Sequence, residues 1–318
     1  MTIPSITDIQ SAHSRIRPFI HWTPVLTSTQ INKLFNTQIF FKCENLQKVG
    51  AFKFRGATNA VLQLSDVEKR RGVVTHSSGN HAAALTLAAV TSGVKAYIVM
   101  PENAPDVKKN AVAGYGAEIT FCKPTLQARE ETTADIIERT GAVLIHAYDN
   151  INVICGQGTA ALELLGEKPD LDIIVAPVGG GGLLSGTVIA SKGISKNIIV
   201  YGAEPANADD AYKSFVSGKI VPSVNPKTIA DGLLTSLSER TFYIIKNYAD
   251  NIITVSEKSI VESMQLIWER MKIIVEPSSA TTLAVIKENP GLFAGRKVGL
   301  IISGGNVDLK KLPFNQVF

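Results

Sequence analysis

The sequence predicts an α/β protein with two domains and mostly parallel twisted sheets. Three observations carry that prediction. Short runs nearly continuous in Val and Ile, such as residues 172–178 and 298–303, read as strands covered on both faces. Segments with apolar residues at helical spacing lie between such runs, so strand and helix alternate along the whole chain. The length, 318 residues, suits two domains at ~100–200 residues each.

In chain order, strands are expected at 38–43, 72–75, 95–100, 117–122, 142–145, 172–178, 198–204, 252–255 and 298–303. One helix, over 53–64, shows Phe54, Ala57, Val61 and Leu64 on one face. A second shows Ala83, Leu87 and Val90, and a third Ile260, Met264, Ile267 and Met271. A fourth, over 183–192, follows four consecutive glycines. There is no internal repeat, low-complexity segment or Pro/Gly linker.

Composition narrows the class. With 45% hydrophobic and 19% charged residues the chain can bury a core, which excludes a largely disordered protein. The balance of 32 Lys+Arg against 28 Asp+Glu gives +4, spread along the chain, so no nucleic-acid partner is expected. Lys69-Arg70-Arg71 reads as a solvated helix end. Cys43, Cys122 and Cys155 are odd in number and far apart, which suits reduced thiols rather than a disulfide framework or a CxxC metal site. Residues 1–20 lack a basic segment followed by an apolar run, and no apolar run approaches the ~18 residues of a membrane span. The expectation is a cytoplasmic protein with no membrane partner.

In parallel sheets ligands sit at the carboxyl ends of strands. Three turns there stand out: Ser77-Ser78-Gly79-Asn80-His81, Gly179-Gly180-Gly181-Gly182 and Ser303-Gly304-Gly305-Asn306. The tetraglycine run between a strand and a helix has the layout of an anion cradle, where backbone N–H groups and the helix dipole favour a phosphate. The P-loop pattern fails because Thr187 follows Gly186 where a lysine is required. No glycine triplet has dinucleotide spacing, although Glu204 ends the next strand where a ribose-binding acid would stand. A nicotinamide-dependent protein therefore stays open as another class; a small cofactor with a single phosphate fits better. Lys53, between Phe52 and Phe54 at a helix start, opposes the helix dipole in apolar surroundings, and both favour the neutral amine of Schiff-base chemistry.

The segment Lys48-Val49-Gly50-Ala51-Phe52-Lys53-Phe54-Arg55-Gly56-Ala57, with the three turns in the same order, resembles fold-type II pyridoxal-phosphate enzymes, the tryptophan synthase β-like group. The resemblance runs from about Ile16 to Leu309 and is greatest for the serine racemase and serine/threonine dehydratase family, 3-hydroxyaspartate dehydratases included. Thr75-His76-Ser77-Ser78-Gly79-Asn80-His81 and Ala203-Glu204-Pro205-Ala206-Asn207-Ala208-Asp209-Asp210 carry that detail. It implies no regulatory domain of the kind biosynthetic threonine dehydratases carry after this point.

By this resemblance, Lys53 holds pyridoxal 5'-phosphate covalently and moves the α-proton on one face, with Ser78 as the acid/base on the other. Phe52 lies against the pyridine ring, Asn80 bonds its phenolic oxygen, Gly179 to Gly182 and Leu183 hold the phosphate, and Ser303 faces the ring nitrogen. A neutral hydroxyl there, in place of a carboxylate, weakens the electron sink and lets loss of a β-hydroxyl compete with reprotonation. Ser77, Ser78, Asn80 and His81 bind the substrate carboxylate, and Arg129 and Ser236 also reach the substrate. Tyr148 stands where some family racemases have asparagine and others tyrosine. Glu204, the Ala208 carbonyl and Asp210 suit a hard divalent cation, Mg²⁺ or Mn²⁺ with Ca²⁺ as an alternative. The implied domains are a large one, residues 1–70 and 151–318, and a small inserted one, 71–150. A small amino-acid substrate, a homodimer and ATP as an activator complete the expectations. The implied activity is serine racemisation with dehydration, the alternative being a dedicated dehydratase of threonine, serine or threo-3-hydroxyaspartate. A non-catalytic binding descendant is a further class, disfavoured by intact Lys53, Ser78 and Ser303.

Overall fold

Ten strands form two sheets in the computed structural model, which describes residues 2–77, 79–104 and 106–315. The strands are β1 (Val25–Leu26), β2 (Gln38–Cys43), β3 (Val73–His76), β4 (Ala96–Pro101), β5 (Glu118–Cys122), β6 (Val143–Leu144), β7 (Ile173–Pro177), β8 (Ile199–Pro205), β9 (Asn251–Val255) and β10 (Lys297–Ile302). The six-stranded sheet has the order β1-β2-β10-β7-β8-β9 and the four-stranded sheet β5-β4-β3-β6. Only β1 runs antiparallel among these pairings. Every expected strand is present, with its ends within one residue of the expected bounds. β4 and β7 are buried at every position, as strands covered on both faces must be.

The helices are α1 (Ile6–Ile16), α2 (Thr29–Phe35), α3 (Lys53–Leu62), α4 (Asp66–Arg71), α5 (Asn80–Thr91), α6 (Asp106–Gly114), α7 (Leu126–Thr140), α8 (Ile151–Glu167), α9 (Gly182–Ile194), α10 (Asp210–Ser217), α11 (Glu239–Tyr248), α12 (Glu257–Met271), α13 (Pro277–Glu288) and α14 (Pro290–Phe293). α8 and α9 cover one face of the six-stranded sheet, and α12 and α13 the other. The expected face of α5 is corrected. Its buried side is Ala82, Leu85 and Ala89, whereas Ala83 and Leu87 are half-buried and Val90 is 44% exposed. The helix is apolar almost all round, so spacing alone does not single out the inward stripe.

α3 runs between α5 and α8 and is buried from Phe54 through Val61. Beneath it lies an ion network inside the protein. Arg55 meets Glu44 at 2.6 and 2.8 Å and Glu163 at 2.7 Å twice, and Lys42 meets Glu163 at 2.7 Å. Burial works to raise the Glu163 carboxyl; His13, Arg55 and Lys42 outweigh it and hold it below the usual range. Two bidentate pairs on one guanidinium tie the turn after β2 to α3 and α8.

Candidate active site

The carboxyl ends of β3, β6, β7 and β10 carry the unusual turns. His76 ends β3, His146 follows β6, Gly179 follows β7 and Ser303 follows β10. Lys53 begins α3, and the Phe52 N–H donates to the Ser303 carbonyl at 2.9 Å, which sets the lysine segment beside the end of β10. Lys53 Nζ donates to the Ala147 carbonyl at 2.9 Å and lies 5.1 Å from the centre of the Phe52 ring. The side chain keeps some accessible surface yet is surrounded by protein, as a residue lining an enclosed space would be. Burial pushes its amine down to about 8, against the opposing pull of Glu276.

The glycine run is shaped by more than a ligand. Gly181 has φ +87°, and a Cβ on Gly180 would fall 2.3 Å from the ring of Tyr148. Tyr148 thus links the turn after β6, where Lys53 is anchored, to the turn after β7. The N-cap residues of α5 and α9, Gly79 and Gly181, make no side-chain cap, nor do those of α3, α10, α13 and α14, whereas α1, α2, α4, α7, α8, α11 and α12 are capped by Ser, Thr or Asn; α5 and α9 alone among the uncapped starts have glycine there. Gly179 to Gly182 and Leu183 are all buried. An inward-facing, uncapped helix start offers N–H donors to an anion. A phosphate at α9 and a carboxylate at α5 fit these two ends, and Lys53 fits an aldehyde-bearing cofactor.

Ser303 is buried, and its Oγ lies 2.9 Å from Ser279 Oγ, which in turn donates to the Gly304 carbonyl at 2.7 Å. Asn80 is fixed from two sides. Its Nδ2 lies 3.1 Å from both oxygens of Glu276, and its Oδ1 accepts from Asn306 Nδ2 at 2.9 Å. Glu276, buried before α13, was not anticipated from the sequence; a carboxylate before Pro277 reads there as an ordinary helix start.

Other expected residues are placed as follows. Ser77 Oγ accepts from the Gly79 N–H at 3.3 Å. Ser78 lies outside the described residues. The His81 ring is buried; Nε2 is 3.0 Å from the Ile145 carbonyl, so it carries the proton, and Nδ1 is a buried acceptor without a protein partner among the described residues. Burial pushes its pKa down to about 3. The neutral ring has no donor left for a carboxylate, which leaves His81 its backbone N–H for that contact. Arg129, on α7, has a buried Nε without a protein partner among the described residues, and its charge bears on His76. Ser236 Oγ accepts from Ser223 N at 2.7 Å. Glu204 accepts from the N–H groups of Ala211 and Tyr212 at 2.8 Å each, so it caps α10. Burial pushes Glu204 up to about 9 and Asp210 up to about 6, and Asp210 Oδ2 is buried without a protein partner among the described residues. Among the described residues no group of three or more His, Cys, Asp or Glu is gathered for a metal.

A cavity of about 490 Å³ opens beside Asn80, lined among others by Tyr115, Asp231, Asn306 and Lys311. No helix among the described residues is long and apolar enough to cross a membrane.

Lys53, with its amine held toward the neutral form, suits a cofactor that carries an aldehyde, and the bare start of α9 suits that cofactor's phosphate, as in pyridoxal-phosphate enzymes. The chain belongs to the pyridoxal-phosphate dependent enzyme family, whose sequence pattern matches residues 16–304. It is similar to the serine racemase of Dictyostelium discoideum, 54% identical over 316 residues and 98% of each chain. It is also similar to the beta-hydroxyaspartate dehydratase of Paracoccus denitrificans (strain Pd 1222), 50% identical over 99% of this chain and 100% of that one. The crystal structure of the Dictyostelium serine racemase matches it with a TM-score of 0.92 at 55% identity, over 96% of this chain and 99% of that one.

Proposed function

We propose that this enzyme interconverts L- and D-serine and also dehydrates serine to pyruvate and ammonia. The observation that carries the reading is the neutral pair of Ser303 and Ser279, which stands where the family resemblance places the cofactor's ring nitrogen. The names of the relatives support it. Pyridoxal phosphate, when bound, supplies the electron sink that acidifies the substrate Cα–H.

The chain's residues supply the rest. Lys53 Nζ, pushed down to about 8, takes or returns the Cα proton on one face. Ser78 does so on the other, which makes racemisation a two-sided transfer. The uncapped start of α5 holds the substrate carboxylate, and that of α9 the cofactor phosphate. The Ser303 hydroxyl leaves the ring nitrogen without an ionised partner, so Cβ–O cleavage competes with proton return.

The second reading is a dedicated dehydratase of threonine, serine or threo-3-hydroxyaspartate. The unpartnered Nε of Arg129 favours its threo-3-hydroxyaspartate form, since a guanidinium suits a β-carboxylate and neither serine nor threonine carries one. Chiral product analysis with L-serine, D-serine, L-threonine and threo-3-hydroxyaspartates separates the two: D-serine formed from L-serine supports the racemase, and pyruvate alone supports the dehydratase. In Ser78→Ala, racemisation and elimination of D-serine should fall more than elimination of L-serine. Equal loss of all three would remove Ser78 from its role.

The proposal extends to a divalent cation held by Glu204, the Ala208 carbonyl and Asp210, supported by the unpartnered Asp210 Oδ2. It extends also to closure of a 71–150 domain on the rest, a cytoplasmic homodimer, and activation by ATP. The family resemblance supports these.

A further inference from the structure

His146 neighbours Lys53 and His76. The next residue, Ala147, accepts from Lys53 Nζ at 2.9 Å. His76, which leads into the carboxylate-binding turn, meets the His146 ring edge-on at 6.1 Å between centres. The groups that bear on the ring from the surrounding elements are His76, Asp149 and Lys53, with the neutral His81 ring beside it, and the Tyr148 ring packs edge-on at 4.5 Å. Its tautomer is set by its own turn. Nδ1 lies 2.9 Å from Asp149 N and 3.4 Å from Tyr148 N, and a backbone N–H can only donate. Nδ1 is therefore the acceptor, and the proton of the neutral ring is on Nε2. The ring's hydrogen bonds to described residues are both made at Nδ1, and none is made at Nε2, on the side away from that turn.

We propose that His146 is a further substrate-binding residue, whose Nε2–H hydrogen-bonds the β-oxygen of the bound amino acid and so selects β-hydroxy substrates over those without one. This rests on the reading of the enzyme as acting on serine. The turn holds the ring, the ring presents one donor, and no ionised form is needed. Burial keeps the ring neutral, with its pKa pushed down to about 4.

Two substitutions separate the two ends of the ring. His146→Asn keeps an acceptor for the Asp149 N–H and deletes the outward donor; His146→Gln keeps an outward amide and loses the acceptor. The readouts are pyruvate and D-serine from L-serine, and exchange of the L-alanine α-proton in deuterated water, a substrate without a β-oxygen. In His146→Asn, kcat/KM for L-serine should fall about tenfold more than for L-alanine, the size of one lost hydrogen bond, and His146→Gln should recover part of that difference. Equal losses for both substrates, or none, would overturn the proposal. Independently, ring ¹⁵N shifts of the cofactor-free protein should show His146 protonated on Nε2 and neutral at pH 6; protonation on Nδ1 would also overturn it. A wild-type enzyme that exchanges L-alanine but leaves serine untouched would sink the serine reading and this inference together, whereas serine turnover with equal losses sinks the inference alone.

Discussion

The Tyr148 ring occupies the place a side chain on Gly180 would take, 2.3 Å from the nearest ring carbon. A methyl group at Gly180 must displace that ring, and overpacking of this kind costs about 1–3 kcal/mol. Gly180→Ala should lower the urea-unfolding free energy by that amount. Combined with Tyr148→Ala it should cost less than the sum of the two, because the clash is then gone.

Arg55 is the only cation shared by Glu44 and Glu163 among the described residues, though Lys42 also meets Glu163. Replacing Arg55 with Ala leaves Glu44 without its guanidinium in the interior. Removing one partner of a buried pair costs about 3–5 kcal/mol, and equilibrium unfolding of Arg55→Ala should show a loss of that order.

The amine of Lys53 reacts when neutral. Uptake of pyridoxal phosphate into the yellow form by cofactor-free protein should therefore speed up with pH and level off above about 8, well below the 10.5 of an ordinary lysine. Glu276 pulls that value upward, so in Glu276→Gln the plateau should begin at lower pH. Stopped-flow absorbance against pH checks both shifts, and a plateau only near the ordinary value would contradict the first.

Glu204 titrates at about 9 in the folded protein and near 4.5 unfolded, so between those values the folded state holds the extra proton. Stability without metal should then fall as pH rises through that window, and Asp210 adds to the fall between 3.8 and about 6. A divalent cation needs both carboxylates ionised. Mg²⁺ should therefore raise the melting temperature more at pH 8 than at pH 5, and Asp210→Asn should abolish most of that rise.

Much of the fold was legible because parallel strands buried on both faces write themselves as Val/Ile runs, as β4 and β7 do. β1 escaped notice because two residues at a sheet edge carry no period. The face of α5 was misread because alanine surrounds the helix. In the site, Lys53, the glycine run and Ser303 stood out through turn chemistry and the resemblance. Glu276 and His146 did not, for their roles depend on which strand ends the two sheets bring together, and neither lies in a motif. Arg55 stands inside the lysine segment, but its partners Glu44 and Glu163 are 11 and 108 residues away in sequence, beyond the reach of any local pattern.

α3 carries the reactive amine at its first residue and is buried over the next eight, between α5 and α8. A helix wedged on nearly every side has little freedom to shift, so substitutions that survive there leave the amine where it was. Reactivity and architecture are inherited as one piece, which leaves changes in substrate preference to the turns beside that amine, such as the one after β6 that anchors it.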